Sequence, residues 1–314
     1  PMASTTKIMT ALVVLEQLPL EKEHVIRPEW TGVEGSSMYL KAGERLTTRE
    51  LLDGLLLLSG NDAAVALACL TAGSEEAFVR QMNERAAVLG LHDTHFASAS
   101  GLDGEGHYTT ARDLARLAAA AMENQDFARI VGQKYASAAG RQMKNHNKLL
   151  NLYPYAIGVK TGYTDDAKRC LVTAAQKDGV TLIAVTLAAQ DDFNVHKKLY
   201  ERYFGELTQQ DLTPALPDLE LPVTGGQAAT VGLEPVRPPV AALRAGERDR
   251  MQFQVEAPKF AYAPVKRGDA LGEIRGYING DLVYQSPLAA AEDVSAVQRQ
   301  TNGLFHWIGG LFGQ

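Results

Sequence analysis

Three short strings stand in order along this chain of 314 residues: Ser4-Thr5-Thr6-Lys7, Ser59-Gly60-Asn61 and Lys160-Thr161-Gly162. A serine hydroxyl becomes a nucleophile when a base takes its proton, and a lysine can be that base once its surroundings lower its pKa. Ser4 and Lys7 are three residues apart, so on a helix their side chains rise from one face, a turn from each other. A second cation arriving beside them, Lys160, would lower the pKa of Lys7 further and attract a substrate carboxylate. Ser59 would relay a proton to a leaving amine, and Asn61 would orient a substrate amide. Gly162, with no side chain in the way, would let a substrate backbone lie against its strand. An S-x-x-K match arises by chance about once in a chain this long, whereas a chosen K-T-G tripeptide is expected well under once. The ordered trio carries the reading.

Taken singly, each string has a plainer one. Ser4 is an N-cap residue by type, Ser59-Gly60-Asn61 has the composition of a helix-to-helix turn, and Lys160-Thr161-Gly162 suits a polar strand end. Competing sites fit less well. No G-x-S-x-G elbow occurs, and residues 158–161 lack the spacing of a phosphate loop. His92 and His95 sit in a polar loop without a zinc-like ligand set. No metal and no cofactor is expected.

The elements that must position these residues follow from periodicity. Residues 5–18 are apolar on nearly every side, as in a helix surrounded by protein. Thr47-Thr48-Arg49-Glu50 is a capping-box pattern opening a helix over 50–58, which Ser59-Gly60-Asn61 breaks. Further helices are predicted over 62–70, 75–89 and 113–122. The period then changes: 156–164, 169–176 and 180–189 read as strands, with Lys177-Asp178-Gly179 as the turn between the last two, and 191–204 returns to helix. From residue 207 the texture shifts to Pro, Gly and short alternating apolar runs, and Asn279-Gly280 marks a hairpin. The fold class is therefore α+β: a helical cluster beside an antiparallel sheet, followed by a small β-rich C-terminal domain. The predicted domains are 1–206, 207–293 and a tail, 294–314, whose residues 303–312 form an apolar helical stripe.

A composition that is 46% hydrophobic and 22% charged, with a net charge of −6, is ordinary for a globular protein and offers no broad basic surface for nucleic acid. Cys69 and Cys170 are too few for a disulfide framework and read as buried thiols. No stretch has the length of a membrane-spanning helix. The chain opens on Pro1-Met2 already inside a pattern, so the natural protein is expected to begin earlier, with room for a signal peptide.

At these residues the chain resembles the penicillin-binding and serine β-lactamase superfamily, and within it the low-molecular-mass D-alanyl-D-alanine carboxypeptidases. The likeness also rests on Gly35-Ser36-Ser37-Met38, Tyr108-Thr109-Thr110-Ala111, Asn147-Lys148-Leu149-Leu150 and Gly158 to Thr164, and in the β-rich part on Ala263 to Asp269 and Pro287 to Asp293. It implies a β-lactamase/transpeptidase-like fold with Ser4 as the acylated nucleophile, Lys7 as base, and Ser59 and Asn61 completing the proton relay and substrate contact. It implies that Lys160 and Thr161 receive a terminal carboxylate and that the backbone N–H groups of Ser4 and Tyr163 form the oxyanion hole. The implied substrate is a peptidoglycan stem peptide ending in D-Ala-D-Ala, with β-lactams as covalent inhibitors. The implied location is extracytoplasmic, on the outer face of the bacterial membrane, with the tail as an amphipathic anchor.

Three departures accompany the likeness. The strand pair expected before the S-x-x-K helix is absent, which would expose a sheet edge. Lys168 stands where a glycine is expected, so that turn would differ in shape, and Ser98-Ala99-Ser100 replaces a commoner Asn-Pro-His form. The leading activity is a serine DD-carboxypeptidase. The alternatives are a β-lactamase, for which no convincing Glu-x-x-x-Asn loop is found, a DD-endopeptidase, or a penicillin-binding sensor or scaffold with little turnover.

Overall fold

The computed structural model describes residues 1–102 and 104–297 and divides into two compact units, 1–205 and 206–314. In the first unit the helices are α1 (Lys7–Gln17), α2 (Thr48–Leu57), α3 (Asn61–Ala72), α4 (Glu75–Val88), α5 (Ala111–Glu123), α6 (Gln125–Gly132), α7 (Leu149–Leu152) and α8 (Asp192–Glu206). Its strands are β1 (Glu23–Val25), β2 (Arg45–Thr47), β3 (Tyr135–Ala138), β4 (Arg141–Lys144), β5 (Ala156–Thr164), β6 (Lys168–Lys177) and β7 (Val180–Thr186). The second unit carries β8 (Thr208–Asp211), β9 (Glu220–Thr224), β10 (Thr230–Pro235), β11 (Val240–Leu243), β12 (Gln252–Glu256), β13 (Ala261–Tyr262), β14 (Ala270–Ile278) and β15 (Asp281–Ala290).

Helix α1 is the axis of the first unit. Every residue from Lys7 to Val14 is buried, and the helix lies against α2, α3, α4, α5 and α6. An all-round apolar sequence is stable as a helix only in such a setting. A 3-10 turn, Ala3–Thr6, precedes it, so Ser4 lies one turn before α1 and caps nothing with its side chain. The capping box at Thr47 forms with both of its hydrogen bonds and starts α2. Helix α5 buries Leu114, Leu117, Ala118 and Ala121, the i, i+3, i+4, i+7 face, and lies against β7.

The sheet β5-β6-β7 is antiparallel, with β7 at one edge and β5 at the other. The β6–β7 turn is the two-residue loop Asp178-Gly179, both at positive φ (50° and 79°), the type I′ pattern that its sequence announces. At the β5–β6 turn Lys168 takes φ +55°, the left-handed conformation favoured by glycine. The lysine therefore adopts the glycine-like backbone geometry, at about 1–2 kcal/mol, in place of the altered turn expected from its side chain. The hairpin β3–β4 and the helices α6 and α7 lack long periodic runs and are additions to the sequence reading.

The second unit is a sheet of order β12-β14-β15-β10-β9-β13 with a separate β11–β8 ladder. Its core is Leu221, Val231, Leu233, Ile274, Tyr284 and Leu288. The β14–β15 hairpin turns at Asn279-Gly280, again both at positive φ. The predicted end of this domain at residue 293 falls early. Val294 exchanges backbone hydrogen bonds with Val265, and Gln227 donates to the Ser295 carbonyl, so the ladder carries the chain further. The tail stripe at 303–312 lies outside the described residues. Among the described residues, no helix is long and apolar enough to cross a membrane. Cys170 is buried and Cys69, near the end of α3, is only partly so, which corrects one of the two expected buried thiols.

Candidate active site

Lys7 is wholly buried, and its Nζ lies 2.9 Å from Ser4 Oγ, 2.7 Å from Asn61 Oδ1 and 2.6 Å from the Ser100 carbonyl oxygen. Burial holds its pKa well below the ordinary lysine value; the nearby Lys160 charge lowers it further, while Asp62 works in the opposite direction. The partner set has a consequence for proton position. An amide oxygen and a peptide carbonyl can only accept, so in the neutral amine they take its two N–H bonds. The lone pair is left for the remaining neighbour, Ser4 Oγ, whose proton it can accept. The arrangement is that of a base aimed at a hydroxyl.

Asn61 is held as tightly as Lys7. Its Nδ2 donates to the Glu34 carbonyl at 2.6 Å, and its backbone N–H donates to the Ser36 carbonyl at 2.7 Å. A Cβ at Gly35 would stand 2.7 Å from that Nδ2, so a glycine is needed for this approach. The carboxylate of Asp62 gathers the same segment, accepting from Met38 N–H at 3.0 Å, Leu40 N–H at 3.0 Å and Ser37 Oγ at 2.6 Å. From outside, Arg141 donates to the Met38 and Tyr39 carbonyls and pairs with Glu44.

Ser59 joins α2 to α3 at φ +62°, a left-handed conformation that a serine adopts at about 1–2 kcal/mol. Its Oγ accepts from Lys160 Nζ at 3.0 Å, and the same ammonium donates to the Thr161 carbonyl at 2.9 Å. Burial lowers the Lys160 pKa to about 7. Lys160 is 1% exposed and gives two of its three N–H donors to Ser59 Oγ and the Thr161 carbonyl, a more enclosed place than the open-cleft position the sequence suggested. It acts on the cleft through its charge.

Gly162 also differs from expectation. The side on which it lacks a Cβ faces Ser4 N at 3.0 Å and Thr5 N at 3.1 Å, so the glycine lets β5 close on the nucleophile turn instead of making room for a ligand. Gly101 (φ +83°) does the same on the other side, where a Cβ would meet the Ala3 carbonyl oxygen at 2.1 Å. Ser4, Ser59, Thr161, Gly162 and Tyr163 all line one cleft of about 300 Å³, together with Arg169.

The structure thus brings the eight sequence-predicted site residues into one place: Ser4 and Asn61 both meet the Lys7 amine, Ser59 meets the Lys160 amine, and Thr161, Gly162 and Tyr163 follow Lys160 along the strand. Sequence reasoning missed the Ser100 carbonyl, which belongs to the departing Ser98-Ala99-Ser100 string and uses only its backbone, so no side-chain signal marks it. It also missed His107, whose Nδ1 accepts the Ala97 N–H at 3.0 Å, leaving Nε2–H for Thr6 Oγ1 at 2.8 Å and so steadying the turn that carries Ser4. Of the histidine pair set aside above, His95 has its Nδ1 2.7 Å from the Gly106 carbonyl and stacks on Tyr108.

The family profile described as D-alanyl-D-alanine carboxypeptidase matches residues 1–191, and that of the penicillin-binding protein 5 C-terminal domain matches residues 215–296. D-alanyl-D-alanine carboxypeptidase DacF of Bacillus subtilis is 32% identical over 307 residues, covering 93% of this chain and 79% of that protein. DacC of Escherichia coli is 33% identical over 316 residues, covering 93% and 78%. The crystal structure of penicillin-binding protein 5 from Haemophilus influenzae superposes with a TM-score of 0.69 at 26% identity, covering 93% of this chain and 90% of that one. The chain belongs to the D-alanyl-D-alanine carboxypeptidase family.

Proposed function

We propose that the protein is a serine DD-carboxypeptidase that removes the terminal D-alanine from peptidoglycan stem peptides through an acyl-enzyme on Ser4. The observation that carries this reading is the buried Lys7 amine with two carbonyl acceptors and one hydroxyl neighbour. Neutral Lys7 takes the Ser4 proton as Oγ attacks the carbonyl carbon of the penultimate D-alanine. The oxyanion is received by the backbone N–H groups of Ser4 and Tyr163. As the C–N bond breaks, the proton passes by way of Ser59 to the leaving D-alanine nitrogen, and the Lys160 charge, 3.0 Å from Ser59 Oγ, supports that transfer. Asn61 orients the substrate amide, and Thr161 presents its hydroxyl to the terminal carboxylate. Water then hydrolyses the ester and restores Ser4.

A β-lactam offers the same serine an amide carbonyl whose leaving nitrogen stays tethered, so it acylates Ser4 and lasts longer than the peptide. The peptidoglycan substrate supports a reading in which the protein works outside the cytoplasmic membrane, and we assign the tail as the contact to the membrane surface. The test is D-alanine release from a diacetyl-Lys-D-Ala-D-Ala peptide alongside intact-mass analysis after benzylpenicillin. The expected result is turnover and a lasting adduct, both lost in Ser4→Ala. Rapid antibiotic hydrolysis without peptide turnover would favour a β-lactamase, and an adduct without peptide turnover a sensor.

A further inference from the structure

The carboxypeptidase reading leaves one contact unassigned. A terminal carboxylate needs a donor of charge at the open cleft, and Lys160, the cation on the strand beside it, is turned to Ser59. Arg169 is placed differently. It pairs across the sheet with Tyr163, and residues two apart on a strand share a face, so Thr161, Tyr163 and Arg169 project together. All three line the cleft.

The Arg169 side chain is half exposed, at 50%, while that of its partner Asp192 is 4% exposed. Its Nη2 donates to both carboxylate oxygens of Asp192, at 2.8 and 3.0 Å. Asp192 is itself fixed by the Phe193 N–H at 2.9 Å, and the Phe193 ring lies 5.7 Å from the guanidinium carbon. The guanidinium is therefore pinned at one nitrogen and along one face, whereas Nε and Nη1 make no hydrogen bond to any described residue. A planar fork held in this way is suited to a carboxylate, which it can meet with directed donors. Lys148 also lines the cleft, but no ion pair among the described residues fixes its ammonium.

We propose that Arg169 recognises the substrate's terminal carboxylate, its unused N–H donors meeting that group beside the Thr161 hydroxyl. The inference rests on the carboxypeptidase reading. Asp192 is a positioning residue: it offsets part of the guanidinium charge and fixes the direction of the fork. Only the end of a peptide offers a free carboxylate here, so Arg169 makes the enzyme prefer a terminal bond to an internal one.

The test compares kcat/KM for diacetyl-Lys-D-Ala-D-Ala and for its C-terminal amide. In Arg169→Ala the acid substrate is expected to lose about 10- to 100-fold, mostly in KM, with the amide unchanged. Arg169→Lys should recover part of the loss. Because Arg169→Ala strands a buried carboxylate, the double variant Arg169→Ala/Asp192→Asn repeats the comparison without it and should show the same lost discrimination. Equal losses for acid and amide, or no loss for either, would overturn the proposal. Wild-type protein that releases no D-alanine defeats the carboxypeptidase reading instead. Acylation of Ser4 by benzylpenicillin and by its methyl ester, read by intact mass, then decides Arg169 separately: an advantage of the acid that survives Arg169→Ala refutes the assignment, and its disappearance supports it.

Discussion

The two units bury different things. Among the described residues of the first unit, Lys7, Lys160, Asp62, Asp113 and Asp192 are all buried, as are the polar side chains of Ser59, Asn61 and Ser100. Among the described residues of the second unit the buried polar side chain is Ser286, and ion pairs such as Arg275 with Glu273 are only partly buried. A buried charge is tolerated only when hydrogen-bonded or neutralised, and it lowers stability relative to an apolar core. In the first unit Lys160 and Asp62 act on the Lys7 pKa, whereas Asp113 accepts from the Asp93 N–H and the Thr94 hydroxyl and Asp192 pairs with Arg169. The second unit follows ordinary sheet packing and needs none.

If that contrast is right, substitutions of equal chemical size should have unequal effects. The largest is expected at Asp62. Asp62→Ala removes the acceptor of three backbone N–H groups, those of Met38, Leu40 and Ala63, and of the Ser37 hydroxyl, and should destabilise the protein by roughly 2–4 kcal/mol in chemical denaturation, with activity falling too. A loss below about 1 kcal/mol would show that the buried network is dispensable. Next comes Lys160→Met. Its charge lowers the Lys7 pKa, so without it the Lys7 pKa rises and the acid limb of the kcat/KM profile moves to higher pH, with activity at neutral pH down by about 10- to 100-fold. An unmoved limb separates the two lysines. The smallest effect is expected in the second unit. Ser286→Ala deletes an acceptor for the Arg237 N–H at 2.9 Å and should lower stability by about 1 kcal/mol with peptide turnover intact.

The sequence was legible where local chemistry decides structure. The type I′ turns at Asp178-Gly179 and Asn279-Gly280, the Thr47 capping box and the all-apolar α1 follow from residue type and spacing. The three site strings were legible for the same reason, since a base, a nucleophile and a cation must be spelled by side chains. What stayed hidden is set by tertiary contact. The Ser100 carbonyl is a backbone group, and any residue there can supply it. The empty side of Gly162 looks like room for a ligand until the Ser4 turn is seen filling it. Arg169 reads as the start of a strand, and only the register opposite Tyr163 and the carboxylate of Asp192 give it a place at the cleft.

The account depends on Lys7 being a neutral amine when Ser4 attacks, and the rate of Ser4 acylation by benzylpenicillin as a function of pH tests this directly. The rate should rise as Lys7 loses its proton and level off with a midpoint well below the ordinary lysine value of 10.5. A midpoint near 10.5, or a profile unaltered when Lys7 is replaced, would contradict it.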